Sequence, residues 1–103
     1  MKEQIFNFIK KRCDVSFVEL SRNIEGFNGG VRYETLENLV LWDGMSEEAA
    51  NSIHELLKEK RIIAITADRF VYFIDGGSLK YSVAKKEMSY KKPHWLPIVF
   101  RVA

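Results

Sequence analysis

Residues 46–60 read SEEAANSIHELLKEK and predict the clearest helix of the chain. Ser46 can accept a hydrogen bond from an early backbone N–H, and Glu47 and Glu48 suit the positive end of a helix dipole. Apolar side chains then recur with helical spacing at Ala49, Ile53, Leu56 and Leu57. This stretch decides the predicted fold, because the neighbouring elements must pack against its apolar stripe.

Two further helices are predicted upstream. Residues 2–12 place Ile5 and Ile9 four positions apart, so that one side can face a core. Ser16, with Glu19 three residues later, forms a capping-box pattern that predicts a short helix ending near Ile24. The residues 28–30 (Asn-Gly-Gly) predict a turn. Residues 31–45 form the least regular part of the sequence, in which LENLVLW at 36–42 is consistent with either a helical turn or a short buried strand.

Downstream of the long helix, two runs rich in β-branched and aromatic residues predict a hairpin. They are RIIAIT at 61–66 and RFVYFI at 69–74. The run SLKYSVAK at 78–85 is consistent with a third strand. Pro93 and Pro97 exclude a regular helix in the tail, which we predict to be an edge strand or an extended segment.

This order of elements resembles the winged helix-turn-helix superfamily. The resemblance is carried by VSFVELSRNI and MSEEAANSIHELLKEKRI, as the two helices of the motif, and by AITADRFVYFIDG as the wing. It implies an α+β fold of three helices followed by a β-hairpin wing, with an extra C-terminal strand or extended segment. We therefore expect one domain over residues 1–103, with a winged-helix core at 2–75 and a basic extension at 77–103.

The whole chain, with its FNGG turn and YKKPHWLP ending, is similar to small winged-helix single-stranded-DNA-binding proteins of staphylococcal cassette-type mobile elements or phages. That resemblance implies a role in replication or transfer of such an element. It leaves open a homo-oligomer or a replication-protein partner. The first residues, MKEQIFNFIKKRCD, lack the apolar stretch of a signal peptide, and no run reaches the roughly 20 apolar residues of a membrane helix. We expect a cytoplasmic protein.

Charge is distributed unevenly along the chain. Residues 1–76 hold ten Lys or Arg and thirteen Asp or Glu, a net charge of −3. Residues 77–103 hold six Lys or Arg and one Glu, a net charge of +5. Between Tyr33 and Leu57 there are six acids and no Lys or Arg. Because nucleic-acid affinity comes largely from neutralised phosphates, this acidic stretch argues against major-groove docking of the long helix.

Cations beside aromatic rings are instead typical of single-strand binding, in which lysines track the backbone and rings stack on bases. The candidate residues are Arg69, at the tip of the predicted wing, and Lys80, Lys85, Lys86, Tyr90, Lys91, Lys92, His94 and Trp95. Tyr90 and Trp95 could equally be core residues, because rings of this size are usually mostly buried.

The main alternative is a protein-interaction adapter, or a regulator of a phage or mobile element, that uses the domain for docking or dimerisation. Exposed rings beside lysines would favour nucleic acid, and an exposed apolar patch without nearby cations would favour a protein partner. No residue pattern indicates catalysis: Cys13 is the single cysteine, and His54 and His94 lie far apart in the sequence. We predict a protein that is not an enzyme and uses no metal or cofactor.

Overall fold

The computed structural model describes residues 1–103. Its helices and strands follow one another in the order ααββαβαβββ. The helices are α1 Lys2–Lys11, α2 Phe17–Asn23, α3 Glu47–Lys58 and α4 Arg69–Asp75. The strands are β1 Asn28–Leu36, β2 Leu39–Met45, β3 Ile62–Thr66, β4 Ser82–Val83, β5 His94–Trp95 and β6 Ile98–Val102.

The strands form two separate sheets. One has four strands in the order β1-β2-β5-β4, with β1 antiparallel to β2 and with β5 parallel to both β2 and β4. The other is the antiparallel pair β3-β6, in register from Ile62 opposite Val102 to Thr66 opposite Ile98. Residues 77–103 therefore supply three strands, and two of these pair with strands from earlier in the chain.

The predicted winged helix-turn-helix is wrong. A β-hairpin, β1–β2, lies between α2 and α3, where the sequence predicted a turn and an irregular segment. The predicted wing does not form, because residues 69–75 are helix α4, and β3 pairs with the C-terminal β6 instead. The fold is α+β with four helices and two sheets, and each sheet combines strands from before and after α4.

Local capping explains why RFVYFI is a helix despite its strand-like composition. The Asp68 carboxylate accepts a hydrogen bond from the Phe70 N–H at 3.0 Å, which caps the first turn. Gly76 has φ of 87°, the left-handed conformation that ends many helices. Within the helix, Tyr72 is fully buried and holds the segment against the core. The caps at Asp68 and Gly76 and the burial of Tyr72 together outweigh the β-propensity of residues 69–74.

All three predicted helices are confirmed. Ser16 and Ser46 each begin a helix, accepting hydrogen bonds from the backbone N–H of Glu19 at 3.2 Å and of Ala49 at 3.1 Å. The apolar stripes of α1 and α3 are buried as expected, at Ile5, Ile9, Ala49, Ile53 and Leu56. The tail prediction of a strand is also confirmed, since β6 lies directly after Pro97.

An aromatic cluster forms the centre of the core. The Trp95 ring lies 5.1 Å from the Tyr72 ring, edge to face, and 6.4 Å from the Trp42 ring. The Phe17 ring stacks on the Trp42 ring with 5.7 Å between centroids. These rings come from β5, α4, β2 and α2, so they join the four-stranded sheet to the helices.

Gly29 lies where β1 approaches the start of α3, and this gives a stability prediction. A Cβ at Gly29 would lie 2.7 Å from the Ser46 Cα and 2.8 Å from the Met45 carbonyl oxygen, whereas a Cβ at Gly30 meets nothing within 4 Å. Because backbone atoms cannot easily move aside, we expect Gly29→Ala to cost about 1–3 kcal/mol of unfolding free energy. Urea unfolding measures this, with Gly30→Ala as the control. Equal stability of the two variants would contradict the packing described.

Candidate nucleic-acid interface

Four of the predicted residues line a single depression beside β4 and β5. Lys85, Lys86, Tyr90 and His94 surround a volume of about 380 Å³, together with Ser82, Val83 and Met88. Lys91 and Lys92 are exposed on the loop that joins Tyr90 to His94. We call the set Lys85, Lys86, Tyr90, Lys91, Lys92 and His94 the basic platform.

The platform contains a preformed ring stack. The Tyr90 and His94 rings lie 3.9 Å apart between centroids with an interplanar angle of 19°. Both residues are half-buried, so part of each remains accessible to solvent. Aromatic rings offered in this way can stack on nucleobases of any identity.

Backbone hydrogen bonds fix the position of the two rings. The β1–β2 turn supports this loop: the Tyr90 N–H donates to the Glu37 carbonyl oxygen at 3.0 Å, and the His94 N–H donates to the Asn38 carbonyl oxygen at 2.8 Å. The Asn38 side-chain amide donates to the Tyr90 carbonyl oxygen at 2.9 Å. The Tyr90 hydroxyl also accepts from the Lys86 N–H at 3.2 Å and donates to the Lys86 carbonyl oxygen at 3.0 Å.

The orientation of the His94 imidazole follows from its one hydrogen bond. Its Nδ1 lies 2.7 Å from the Lys92 carbonyl oxygen. A carbonyl oxygen only accepts, so Nδ1 carries the proton and donates. The Nε2 atom makes no hydrogen bond within the chain. It is therefore available to a ligand in the depression.

The lysines of the platform are not neutralised by acids. Eight ion pairs occur in the structure, and none includes Lys85, Lys86, Lys91 or Lys92. By contrast, most arginines are paired, such as Arg61 with Glu3 at 2.8 Å and Arg101 with Asp14 at 2.6 Å. In the first of these pairs the guanidinium holds the pKa of Glu3 below its usual value. Around the depression, the positive charge free to meet an anion is thus carried by lysines.

Trp95, the largest predicted ring, lies outside this surface. Only 1% of its area is exposed, and its ring packs against Tyr72 and Trp42. In this position it cannot stack on a base, so the structure corrects its candidate role from binding to core. The tail turns inward here because β5 is the strand between β2 and β4.

Arg69 and Lys80 also lie apart from the depression. Arg69 is the first residue of α4 rather than the tip of a wing. Lys80 lines a separate depression with Asp43 and Tyr81. The Tyr81 hydroxyl donates to the Asp43 carboxylate at 2.8 Å, which raises the pKa of Tyr81, and the Arg32 guanidinium lies 5.2 Å from the centre of its ring. Tyr81 is therefore occupied by partners within the chain.

Sequence reasoning missed the two residues that position the platform, Glu37 and Asn38. They form the two-residue turn of the β1–β2 hairpin, and Asn38 has φ of 58°. The only local signal is Asn38, because asparagine tolerates the left-handed conformation. Glu-Asn is not among the usual two-residue hairpin pairs such as Asn-Gly, so the sequence did not specify this hairpin or its contact with Tyr90.

Comparison of the chain with models of known families, with curated proteins and with solved structures gives no match. The interpretation of the platform therefore depends on its own chemistry. No group of three His, Cys, Asp or Glu side chains is arranged to hold a metal ion. Each of the four helices is too short or too polar to cross a bilayer.

Proposed function

We propose that this protein binds single-stranded DNA, largely without regard to sequence, through the basic platform. One observation carries the proposal: four unpaired lysines surround or adjoin a depression that contains the stacked Tyr90 and His94 rings. Cations supply the attraction to phosphates, and the rings supply stacking on bases. Neither contribution depends on which base is present.

The platform favours a single strand over a duplex for a geometric reason. A duplex hides the faces of its bases, so only the phosphate attraction would remain. The other route to a duplex, a helix in the major groove, is opposed by acids at the start of α3, where Glu47 and Glu48 are exposed. Carboxylates there would repel the phosphate backbone.

We place this activity in the cytoplasm and in the replication or transfer of a mobile element. The mobile-element setting rests on the resemblance of the sequence alone, and the chain does not have the winged-helix fold that this resemblance implies. The cytoplasmic setting rests on composition, and the platform chemistry depends on neither. The platform would serve any process that exposes unpaired strands.

Tyr90 provides the test of stacking. We expect Tyr90→Ala to weaken binding of a fluorescein-labelled oligo-dT by roughly 5- to 150-fold, because one base–ring stack contributes about 1–3 kcal/mol. Tyr90→Phe is the matched control: it keeps the ring and loses only the hydroxyl contacts with Lys86. We expect its affinity to stay within about threefold of the unmodified protein. Fluorescence anisotropy measures both.

Two results would count against stacking by Tyr90. One is an alanine variant that binds as tightly as the unmodified protein. The other is equal weakening by both variants, which would show that the hydroxyl contacts matter and the ring does not. Thermal unfolding of each variant verifies that the comparison is made between folded proteins.

A further inference from the structure

Helix α4 presents an unpartnered apolar surface. Phe70, Phe73 and Ile74 are 61%, 55% and 86% exposed, more than any other large apolar side chain in the protein. Their spacing of three and four residues places them on one side of the helix, and the two phenylalanine rings lie 6.0 Å apart. A contiguous apolar patch of this kind marks an interaction site. We call it the α4 patch.

The opposite side of α4 is firmly attached to the core, so the helix cannot roll to bury the patch. Tyr72 is fully buried, and its hydroxyl donates to the Ile98 carbonyl oxygen at 2.6 Å and accepts from the Phe17 N–H at 3.3 Å. The Ser16 hydroxyl donates to the Asp75 carboxylate at 2.6 Å. The patch is thus a fixed feature of the surface.

Charges at the two ends of the patch indicate which partner it fits. Asp68 and Arg69 lie at the N-terminal end of α4, and Asp75 lies at its C-terminal end, where Arg22 donates to the Asp75 carbonyl oxygen. Each end therefore carries one acid and one arginine, and α4 contains no lysine. A surface with balanced charge gives little attraction to a polyanion. It does fit an antiparallel copy of itself.

We infer that the α4 patch docks onto the same patch of a second copy of this chain. In a two-fold arrangement the two helices run antiparallel, so that Arg69 of each copy lies at the end of the partner's helix that carries Asp75. The antiparallel helix dipoles also favour this arrangement. Phe70, Phe73 and Ile74 from both copies would then be removed from water.

The patch is small, and this sets the expected strength of the contact. Three partly exposed side chains offer on the order of a few hundred Å² per copy. Stable complexes bury about 800 Å² per partner. We therefore expect a dimer that forms at protein concentrations on the order of 100 μM rather than at nanomolar concentrations.

Sedimentation velocity of the full chain from about 5 μM to about 1 mM tests this inference. We expect the weight-average mass to rise from that of one chain toward that of two. The double variant Phe70→Ser/Ile74→Ser should remain monomeric across the range. The matched control, Leu36→Ser/Val102→Ser, also removes two exposed apolar side chains, which are 42% and 37% exposed and lie outside α4. It should dimerise like the unmodified protein.

A monomer at every concentration would overturn the inference. That is the result if the patch binds a different protein instead of a second copy. Dimerisation that survives Phe70→Ser/Ile74→Ser, or that the control variant also loses, would overturn it equally. Because the measurement contains no nucleic acid, its outcome is separate from that of the proposed DNA binding.

Discussion

Trp95→Ala should lower the free energy of unfolding by about 3–5 kcal/mol, the range observed when a buried tryptophan or phenylalanine is truncated. The reason is the burial of the ring, 1% exposed, between Tyr72 and Trp42. A domain of this size has a total stability of about 5–15 kcal/mol, so the loss is a large share of it. Urea unfolding followed by circular dichroism measures the change.

Two controls sharpen this stability test. Met88→Ala removes an apolar side chain that is 47% exposed, and its effect should stay near 0.5 kcal/mol or less. Trp95→Phe keeps part of the ring, so it should be less destabilising than alanine and should leave a folded protein for binding assays. An alanine variant as stable as the unmodified protein would mean that Trp95 is a surface residue, contrary to the fold described.

Reversing four charges should nearly abolish binding to a single strand. We expect Lys85, Lys86, Lys91 and Lys92, changed together to Glu, to weaken oligo-dT binding by more than about 100-fold at low salt, because four attractive phosphate contacts become repulsive. The net charge of the chain changes from +2 to −6, since each substitution subtracts two. Anisotropy titrations measure the loss.

A matched variant separates the platform from net charge. Lys10, Lys11, Lys58 and Lys60 are exposed, form no ion pairs and lie at the ends of α1 and α3, so their reversal gives the same net charge of −6. We expect this control to keep most of the affinity, apart from the general loss that a more negative chain causes. Equal losses in the two variants would show that binding follows overall charge and that the platform has no special role.

The sequence predicted those parts of the fold that depend on local signals. Helices α1, α2 and α3 follow from an apolar stripe or a serine cap, which act within a few residues. Helix α4 was missed because its β-branched and aromatic composition favoured a strand, whereas Asp68, Gly76 and the burial of Tyr72 made it a helix. The pairing of β3 with β6 joins segments more than 30 residues apart, and no local pattern specifies such a partner.

The positive charge of the candidate site could be predicted from the sequence, but which of its aromatic rings are exposed could not. Counting charges locates the lysine-rich end of the chain, since net charge is additive along the chain. Whether Tyr90 or Trp95 faces solvent depends on tertiary packing, because both are aromatic residues beside a proline-containing segment. The structure buries Trp95 between two other rings and leaves Tyr90 half-exposed on His94. Arg69 was misplaced because its position depended on the predicted wing.

The most direct test of the proposed function is a salt series of anisotropy titrations with the unmodified protein, using oligo-dT and a duplex of equal length. We predict tighter binding to the single strand at every salt concentration. A plot of log affinity against log salt should have a slope of about −3 for oligo-dT, as four lysine–phosphate contacts at about 0.7 each require. Undetectable binding at low salt, or a duplex bound as tightly as the single strand, would contradict the proposal.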